Sequence, residues 1–487
     1  MYNNLKELTQ HIVFHYFAEI SAIPRGSGNE QAISDYLVRF AQERNLEVIQ
    51  DEALNVIIKK AATTGYESAP TVIIQGHMDM VCEKNQDTTH DFDKDPLQLR
   101  IIGDMLYATD TTLGADNGIA VAYALALLDS TDIPHPSLEV VITTEEETTM
   151  NGAIAVDASH FTGKIFINLD SEEDGKLLVS SAGGVHVTQV LPITWSKSST
   201  DEVTYRIRIK GLKGGHSGIS INKERGNSTK LLGRVLQDLS TEFTYSIQQI
   251  SGGLKSNAIP REAEAIVFVQ SNDVNKIKEK IEHWEQTFKN ELQMTDPGVA
   301  IGFEKIESNS TAVFAEDTKQ KAITALLLIP HGVQAMSMGI AGLVESSTNL
   351  GVVSTTDSAI HFENEIRSSI KSAKANMVTQ AKTLADMLGC EVLIDADYPE
   401  WPYHPDSQVK KLFEQTYREK YGKEIDVIAV HAGIECGVFI EKIPGLDAVS
   451  LGPDMFHVHT PDEHVSIPST IKNWEYFIYT LGRMKVD

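Results

Sequence analysis

"SLEVVITTEEETT" occupies residues 137–149 and joins a run of apolar residues directly to three consecutive glutamates. The β-branched run predicts a buried strand over residues 138–143. A cluster of carboxylates usually marks a solvated loop, because burying like charges together is costly. The same arrangement of strand and polar group recurs along the chain, and this recurrence indicates a common structural cause.

Three other apolar runs are also followed at once by polar side chains. The runs are TVIIQ at 71–75, KIFINL at 164–169 and DAVSLGPDMF at 447–456, and the groups that follow them are His77, Asp79, Asp170, His457 and His459. Together with an alanine-rich helical stretch at 117–129, the runs predict an α/β fold with a mostly parallel sheet flanked by helices. Ligands of such sheets bind beyond the carboxyl ends of the strands, so these groups are expected at one edge.

The middle of the chain has a different character. Residues 187–398 contain alternating strand patterns, such as 204–209, and long helices with one polar face, such as 274–292. This combination is typical of an α+β domain. We therefore predict a discontinuous α/β domain, formed by residues 1–186 and 399–487, that is interrupted by an inserted α+β domain.

Composition excludes several classes of partner. The 487 residues are 41% hydrophobic, which is enough for more than one core, and 68 Asp and Glu against 42 Lys and Arg give a formal charge of −26. Such a charge repels nucleic acid and anionic membranes. No apolar run approaches the roughly 18 residues of a membrane span, and the N-terminal segment lacks secretory-signal features. Three cysteines without paired spacing fit a reducing compartment, so we expect a cytoplasmic protein.

The polar groups at the predicted edge would repel one another without a cation. Imidazoles and carboxylates together suit zinc, with manganese or cobalt as substitutes. A catalytic zinc takes roughly three protein ligands and a water, so this many ligands favours two ions. Ions roughly 3.5–4 Å apart could share a hydroxide and polarise a carbonyl together. The assignment that follows is His77 and Asp170 on one ion, Glu147 with His459 or His457 on the other, and Asp116 from the segment TTLGADNG as the bridge.

Adjacent glutamates can have separate roles at such a centre. With Glu147 as a ligand, Glu146 is free to take a proton from the attacking water and to pass it to a leaving amine. Asp79 lies two residues after His77, where it can bind the second ring nitrogen and fix the tautomer. These residues predict metal-assisted hydrolysis of an amide bond.

Several short motifs then occur in a characteristic order. They are GHMDMV, TLGADNG, TTEEETTMNGA, INLDSEEDG, GGHSG, HAGIECG and HTPDE. The set resembles the co-catalytic di-zinc metallopeptidases, a family that includes carboxypeptidase G, peptidase T and the aminoacylases. Within that family the chain is most similar to the bacterial aminoacyl-histidine dipeptidases, which cleave Xaa-His dipeptides such as carnosine, and the similarity covers nearly the whole chain.

The resemblance implies the same roles at the metal centre. The ligands that it implies are His77, Asp116, Glu147, Asp170 and His459. The first histidine of HTPDE is the family's ligand, so the resemblance selects His459 over His457. It also implies that Glu146 is the general base, that Asp79 is the orienting acid and that Glu145 is a loop residue.

The resemblance also assigns the insert. It implies that residues 187–398 form a lid and dimerisation domain, and that His216 of GGHSG stabilises the oxyanion in the active site of the partner subunit. Substrate-binding residues are implied in three further segments, EIRSS, SNAIP and HAGIECG. These residues are Arg367, Asn257, His431 and Gly433.

The sequence therefore predicts a cytoplasmic, homodimeric hydrolase of dipeptides with two zinc ions per chain and a preference for Xaa-His substrates. The alternative enzyme is another small-amide hydrolase of the same family, such as an acyl-amino-acid deacylase or a broad-specificity dipeptidase. A non-catalytic metal-binding or interaction protein on the same fold is a different class of function. The intact Glu146 and the full ligand set argue against that class, because a silent protein has no need of a base.

Overall fold

The computed structural model describes residues 2, 4–199, 201–307 and 310–485. The chain forms two compact units, of which the first contains Met1–Ser180, Tyr403–Ala429 and Ile434–Asp487 and the second contains Ser181–Pro402 and Val430–Gly433. The sequence placed the boundaries at 186/187 and 398/399 and did not indicate the short segment 430–433. Hydrophobic alternation identifies a strand but not the sheet that it joins, and this is why the boundaries differ.

The first unit is built on a mixed sheet. Among the described residues this sheet has eight strands, in the spatial order Glu47–Gln50, Val56–Lys60, Leu138–Thr143, Val72–His77, Ile165–Asn168, Asp447–Ser450, Lys176–Ser181 and Asp426–Val430. The four central strands run parallel, and the strands that flank these four pair with them antiparallel. The predicted α/β architecture is confirmed, and the parallel part of the sheet is the part that carries the polar groups.

Helices and a small sheet complete the first unit. The helices are Leu5–Leu8, Ile12–Ser21, Gln31–Glu43, Ala115–Asp129, Asn151–Ala155, Gln408–Tyr421, Cys436–Lys442 and Ile467–Leu481, with a 3₁₀ turn at Ala158–His160. The small sheet has the order Met455–Phe456, His464–Ser466, Met105–Ala108 and Leu99–Ile102. None of the helices in the described part of the chain is long and apolar enough to cross a membrane.

The helix Ala115–Asp129 is apolar on all sides because it lies inside the unit. Its residues from Asn117 to Leu128 are all buried. The helix comes close to the strand Val72–His77 at Gly76, where an added Cβ would lie only 2.5 Å from the Ala120 Cβ and from the Asn117 Oδ1. Glycine at this position therefore allows the start of the helix to approach the end of the strand.

The second unit is an antiparallel sheet covered by helices. In the described residues the order of its strands is Ala300–Lys305, Glu202–Lys210, Ala263–Gln270, Tyr245–Gly252, Val344–Thr355, Ala359–Ser368, Gly183–Pro192 and Glu391–Tyr398, and Gly332–Met336 pairs with Val344–Thr355. Two short ribbons pair Trp195–Lys197 with Ala312–Phe314 and Gly215–His216 with Ala258–Ile259. The predicted strand pattern at 204–209 lies inside the strand Glu202–Lys210.

The helices of the second unit bury apolar faces against this sheet. They are Ser228–Glu242, Val274–Glu291, Glu316–Leu328 and Lys371–Leu388, with a 3₁₀ turn at Ile221–Lys223. The main core combines helix residues such as Leu232, Ile281 and Leu326 with strand residues such as Val267 and Phe362. This packing makes the sheet a rigid support for the loops and strand ends that carry its candidate binding residues.

Candidate active site

The first unit brings its predicted metal ligands together at the carboxyl end of the parallel strands. Val72 lies opposite both Leu138 and Ile165 in the register of the sheet, so three neighbouring strands begin at the same level. Two of them end together at His77 and Thr143, and the third ends at Asn168, opposite Gln75. His77 ends the first of these strands, and the other ligands follow the strand ends, begin a helix or lie in a loop. These other ligands are Glu147, Asp170, Asp116 and His459.

The side chains form two groups that share Asp116. In the first group, the Nε2 atom of His77 lies 3.2 Å from Asp116 Oδ1 and 3.5 Å from Asp170 Oδ1. In the second, the Nε2 atom of His459 lies 3.2 Å from Asp116 Oδ2 and 3.0 Å from Glu147 Oε2. Within each group the candidate ligand atoms all lie within 4.8 Å of one another. Asp116 therefore presents one oxygen to each group, which is the geometry of a bridging carboxylate.

Asp79 holds both the first histidine and the glutamate loop. Its Oδ1 atom lies 3.2 Å from His77 Nδ1. Its carboxylate also accepts the backbone N–H groups of Glu146 at 3.1 Å and Glu147 at 3.3 Å, and the hydroxyl of Ser27 at 2.7 Å. The bond to Nδ1 places the ring proton there and leaves Nε2 as the atom that can bind a metal.

The carboxylates of the two ligand groups and of Glu146 are costly to ionise where they lie. Burial raises the pKa of Glu146 well above its usual value, raises the pKa of Asp170 to about 6 and raises that of Glu147 as well. Neighbouring carboxylates add to each of these increases. A cation bound among these carboxylates would lower their pKa values, because it favours the ionised form.

The surrounding carboxylates favour the charged forms of the two histidines. Burial lowers the pKa of His77, but Asp170, Asp116 and Asp79 more than offset this and raise it well above the usual value. Hydrogen bonds with Asp116 and Glu147 raise the pKa of His459 to about 11. The site thus favours a positive charge beside its carboxylates, which the protonated histidines would supply when no metal ion is bound. The nitrogen and oxygen donors fit two divalent ions of the zinc, manganese or cobalt type.

Two residues of the same loops stand apart from these groups. The Glu145 carboxylate accepts hydrogen bonds from Thr149 and Asn151, both at 2.9 Å, and so binds its own loop. The ring of His457 packs against the ring of His464, with 5.6 Å between their centroids. Of the two histidines between which the strand pattern could not choose, His459 is therefore the one within reach of the carboxylates.

The second unit collects the predicted substrate-binding residues. Arg367 donates to the Tyr398 hydroxyl at 2.6 Å and to Ser217 Oγ at 3.4 Å, and the backbone carbonyl of Asn257 accepts the Ser217 N–H at 2.8 Å. The strand residue His216 pairs with Ala258, the neighbour of Asn257. His216, Asn257 and Arg367 are therefore connected, although they are far apart in sequence.

The segment Val430–Gly433 joins the same cluster. The Nε2 atom of His431 lies 2.7 Å from Ser347 Oγ, and Ser347 is the direct cross-strand partner of Arg367. Gly433 lies against the ring of Tyr398, since a Cβ added to Gly433 would come within 2.5 Å of the ring. The second unit thus brings together all five of its predicted site residues.

Comparison with known proteins identifies the family. The model of peptidase family M20/M25/M40 matches residues 73–482, most of the chain. The chain belongs to the M20/M25/M40 peptidase family. The family resemblance predicted from the motifs is confirmed, and the protein is a metallopeptidase.

Three relatives of this M20/M25/M40 peptidase span the whole chain. It is 37% identical to the cytosol non-specific dipeptidase of Escherichia coli K12, over 97% of each chain. The crystal structure of an aminoacylhistidine dipeptidase from Vibrio alginolyticus superposes with a TM-score of 0.92 at 36% identity, over 98% of each chain. Aminopeptidase PepT of Bacillus cereus, at 17% identity and a TM-score of 0.56 over 98% of each chain, shares the fold.

Glu463 is a residue of this M20/M25/M40 peptidase whose role the sequence did not show. Its carboxylate accepts the backbone N–H groups of Leu113, Gly114 and Ala115 at 2.8–3.0 Å. These bonds fix the loop that leads into Asp116, the shared ligand. Glu463 belongs to the HTPDE motif, which could have indicated a role but not this partner, because the two segments are about 350 residues apart.

Two further buried side chains hold the strand ends around the same ligand. The Asn117 Oδ1 accepts the His77 N–H at 3.1 Å, and its Nδ2 donates to the Leu169 carbonyl at 2.9 Å. Arg25 is 2% exposed and donates to the carbonyls of Met78 at 3.0 Å and Gly114 at 2.5 Å. Neither contact has a sequence signal, because both depend on how loops meet in the fold.

Glu435 connects the three ligand-bearing strands through hydrogen bonds. Its carboxylate accepts hydrogen bonds from Gln75 and from Thr143, the latter at 2.7 Å, and Gln75 in turn accepts from Asn168 at 2.6 Å. Thr143 and Asn168 are the last residues of their strands, and Gln75 lies two residues before His77, the end of its strand. Glu435 is part of HAGIECG, a motif to which the sequence assigned only His431 and Gly433.

We expect Glu463→Gln to weaken metal binding by about 10- to 100-fold. The amide NH₂ group cannot accept hydrogen bonds from the backbone N–H groups that it would face, so the loop that carries Asp116 would lose its support. Zinc titration of metal-free protein in competition with a chelator measures the effect, and the unaltered protein should bind two ions per chain. Asp462→Asn is the matched control, since it removes the same charge from an exposed neighbour. Unchanged affinity in Glu463→Gln would contradict the role of this carboxylate, and a stoichiometry near one in the unaltered protein would contradict two sites.

Proposed function

We propose that this metallopeptidase hydrolyses dipeptides with two zinc ions, and that it prefers histidine at the C-terminal position. The observation that carries the proposal is the Asp116 carboxylate, which offers one oxygen to each of two ligand groups beside the largely buried Glu146. The substrate class is supported by two relatives with similarity over the whole chain, one called a non-specific dipeptidase and the other an aminoacylhistidine dipeptidase.

In this proposal the first ion is held by His77, Asp116 and Asp170, and the second by Asp116, Glu147 and His459. When bound, such ions polarise the scissile carbonyl and make a water molecule easier to deprotonate. Asp79 keeps the Nδ1 proton of His77 in place, so that Nε2 remains a ligand atom.

Glu146 acts as the general base. Its Oε2 atom lies 3.9 Å from the Nε2 of His77, so the carboxylate is next to the first ligand group without being one of its candidate ligands. It would accept the proton of the attacking water and donate that proton to the leaving amine. The backbone N–H groups of Glu146 and Glu147 donate to Asp79, and these two bonds hold the loop in place while the Glu146 side chain performs both transfers.

His216 is suited to donate a hydrogen bond to an oxyanion. Its Nδ1 atom accepts the N–H groups of Gly218 at 3.1 Å and of Ile219 at 3.3 Å, so the proton of the neutral ring resides on Nε2. Burial and the charge of Arg367 lower its pKa, which keeps the ring neutral. We assign this Nε2–H to the active site of the partner subunit in a homodimer, with residues 187–398 as the lid and dimerisation domain.

Arg367 is proposed to bind the C-terminal carboxylate of the substrate, and Asn257, His431 and Gly433 are proposed to contact the rest of it. The buried position of Arg367 supports this role, because a charged side chain in a poorly solvated site binds an anion strongly. A cytoplasmic location completes the proposal, and the cytosolic description of the Escherichia coli relative is consistent with it.

A panel of substrates on zinc-loaded protein tests the function. Dipeptides with both termini free should be cleaved, Xaa-His dipeptides such as carnosine and Ala-His fastest, and a tripeptide should lose at least about 100-fold in kcat/KM because a charged contact is left unmade. Equal rates for all dipeptides would favour the second candidate, the broad-specificity dipeptidase. Faster cleavage of N-acetyl amino acids would contradict both candidates and identify a deacylase.

The two adjacent glutamates should respond differently to the same change. Glu146→Gln should lower kcat by about 10²–10⁴-fold, as expected for a lost general base, with the metal content unchanged. Glu147→Gln should instead weaken the binding of one ion. Steady-state kinetics and elemental analysis of both variants make the comparison, and near-normal turnover in Glu146→Gln would show that the base is a different residue.

The proposed action of His216 across a dimer can be tested by mixing variants. His216→Ala should lower kcat by about 10²–10³-fold, as for a lost oxyanion donor, because the contact exists only as charge develops. When His216→Ala chains exchange with Glu146→Gln chains, activity should return toward about a quarter of normal, since mixed dimers have one complete site. No recovery in a mixture whose exchange is demonstrated by mass would contradict action across the dimer.

A further inference from the structure

Tyr398 is a half-buried partner of the proposed substrate-binding arginine that no sequence motif indicates. Arg367 and Tyr398 lie on strands that are not neighbours, because Gly183–Pro192 runs between Ala359–Ser368 and Glu391–Tyr398. Both residues are opposite Gly184 in the register of the sheet, one on each side. Side chains that share a level in this way project from the same face.

Gly184 allows the two side chains to meet above the middle strand. The outer strands are separated by two strand spacings of about 4.8 Å each, so a side chain on the middle strand would occupy the space between them. A Cβ added to Gly184 would lie only 2.3 Å from the Tyr398 hydroxyl. An irregularity in pairing between Asp395 and Tyr398 brings the tyrosine to this position, as bulges commonly do.

The contacts of Arg367 do not use all the N–H groups of its guanidinium. Nε donates to Ser217, Nη1 donates to the Tyr398 hydroxyl at 2.6 Å, and Nη2 lies 3.3 Å from Glu365 Oε1. Each terminal nitrogen has a second N–H that these contacts do not use. Two N–H groups on different nitrogens match the two oxygens of a carboxylate.

The tyrosine holds the guanidinium without cancelling its charge. Burial raises the pKa of Tyr398 to about 12, so the hydroxyl stays neutral at any physiological pH. The Glu365 carboxylate already lies 3.3 Å from Nη2, and a second carboxylate in place of the hydroxyl would compete further with the substrate for the positive charge. The ring of Tyr398 also packs against Gly433, so one side chain supports two proposed binding residues.

We propose that Tyr398 is a positioning residue for recognition of the substrate carboxylate, which it supports by orienting Arg367 through its hydroxyl. The inference rests on the proposed function, because it needs a dipeptide whose free carboxylate binds Arg367. It predicts a defect that is confined to substrates with that carboxylate. A tyrosine that served only the stability of the sheet would affect all substrates alike.

The test compares Ala-His with Ala-His amide on zinc-loaded protein. Tyr398→Phe keeps the ring and removes the hydroxyl, so it should raise KM for Ala-His about ten-fold with kcat nearly unchanged, as for the loss of one hydrogen bond to a charged group. Cleavage of the amide should be unaffected. In an Arg367→Met background the same change should have no further effect on Ala-His, because its partner is gone.

Two additional variants separate positioning from stability. Tyr245→Phe is the matched control, since it removes a buried hydroxyl that donates to the Leu236 carbonyl elsewhere in the same unit, and it should leave the acid-to-amide preference unchanged. Gly184→Ala should displace the Tyr398 hydroxyl and reproduce the selective defect with the tyrosine intact. Thermal unfolding of all the variants establishes that each is folded.

The outcomes distinguish this inference from the function on which it rests. If the unaltered protein cleaves neither substrate, or does not prefer the free acid, the proposed function or the role of Arg367 is wrong, and the inference is wrong with it. If the unaltered protein prefers the free acid but Tyr398→Phe changes both substrates equally or neither, the inference alone is overturned.

Discussion

The site of the first unit depends on one shared carboxylate. Asp116 faces His77 with one oxygen and His459 with the other, so any displacement of Asp116 disturbs both ligand groups at once. The fold accordingly holds its surroundings from several directions. Gly76 permits the helix to approach the strand, and Glu463 binds the three backbone N–H groups just before Asp116. These contacts make the position of Asp116 a property of the folded unit rather than of a flexible loop.

The same arrangement links the stability of the unit to its metals. Buried carboxylates such as Glu146 and Asp170 are pushed toward their protonated forms, and the histidines are pushed toward their charged forms. Divalent ions would remove this conflict, because they favour ionised carboxylates and neutral imidazoles as ligands. A metallopeptidase can therefore hold an acidic cluster that would be costly to bury in a protein without metal ions.

The second unit holds polar groups in fixed orientations on a sheet. Arg367 and His431 are connected through the strand residue Ser347, and Tyr398 reaches Arg367 across Gly184. Groups on paired strands keep their spacing better than groups on free loops, so the polar groups of this unit keep fixed positions relative to one another.

The sequence by itself determined the α/β class, the inserted α+β segment, the family and the residues offered as ligands, because strand periodicity and short motifs are local properties of the chain. It could not choose between His457 and His459 without the family resemblance, and it missed Glu463, Glu435 and Tyr398. Only the tertiary structure decided these partners. Glu463 contacts the Asp116 loop across a long sequence separation. Tyr398 contacts Arg367 because of strand order, register and one glycine. Such long-range contacts leave no periodic pattern in a single sequence.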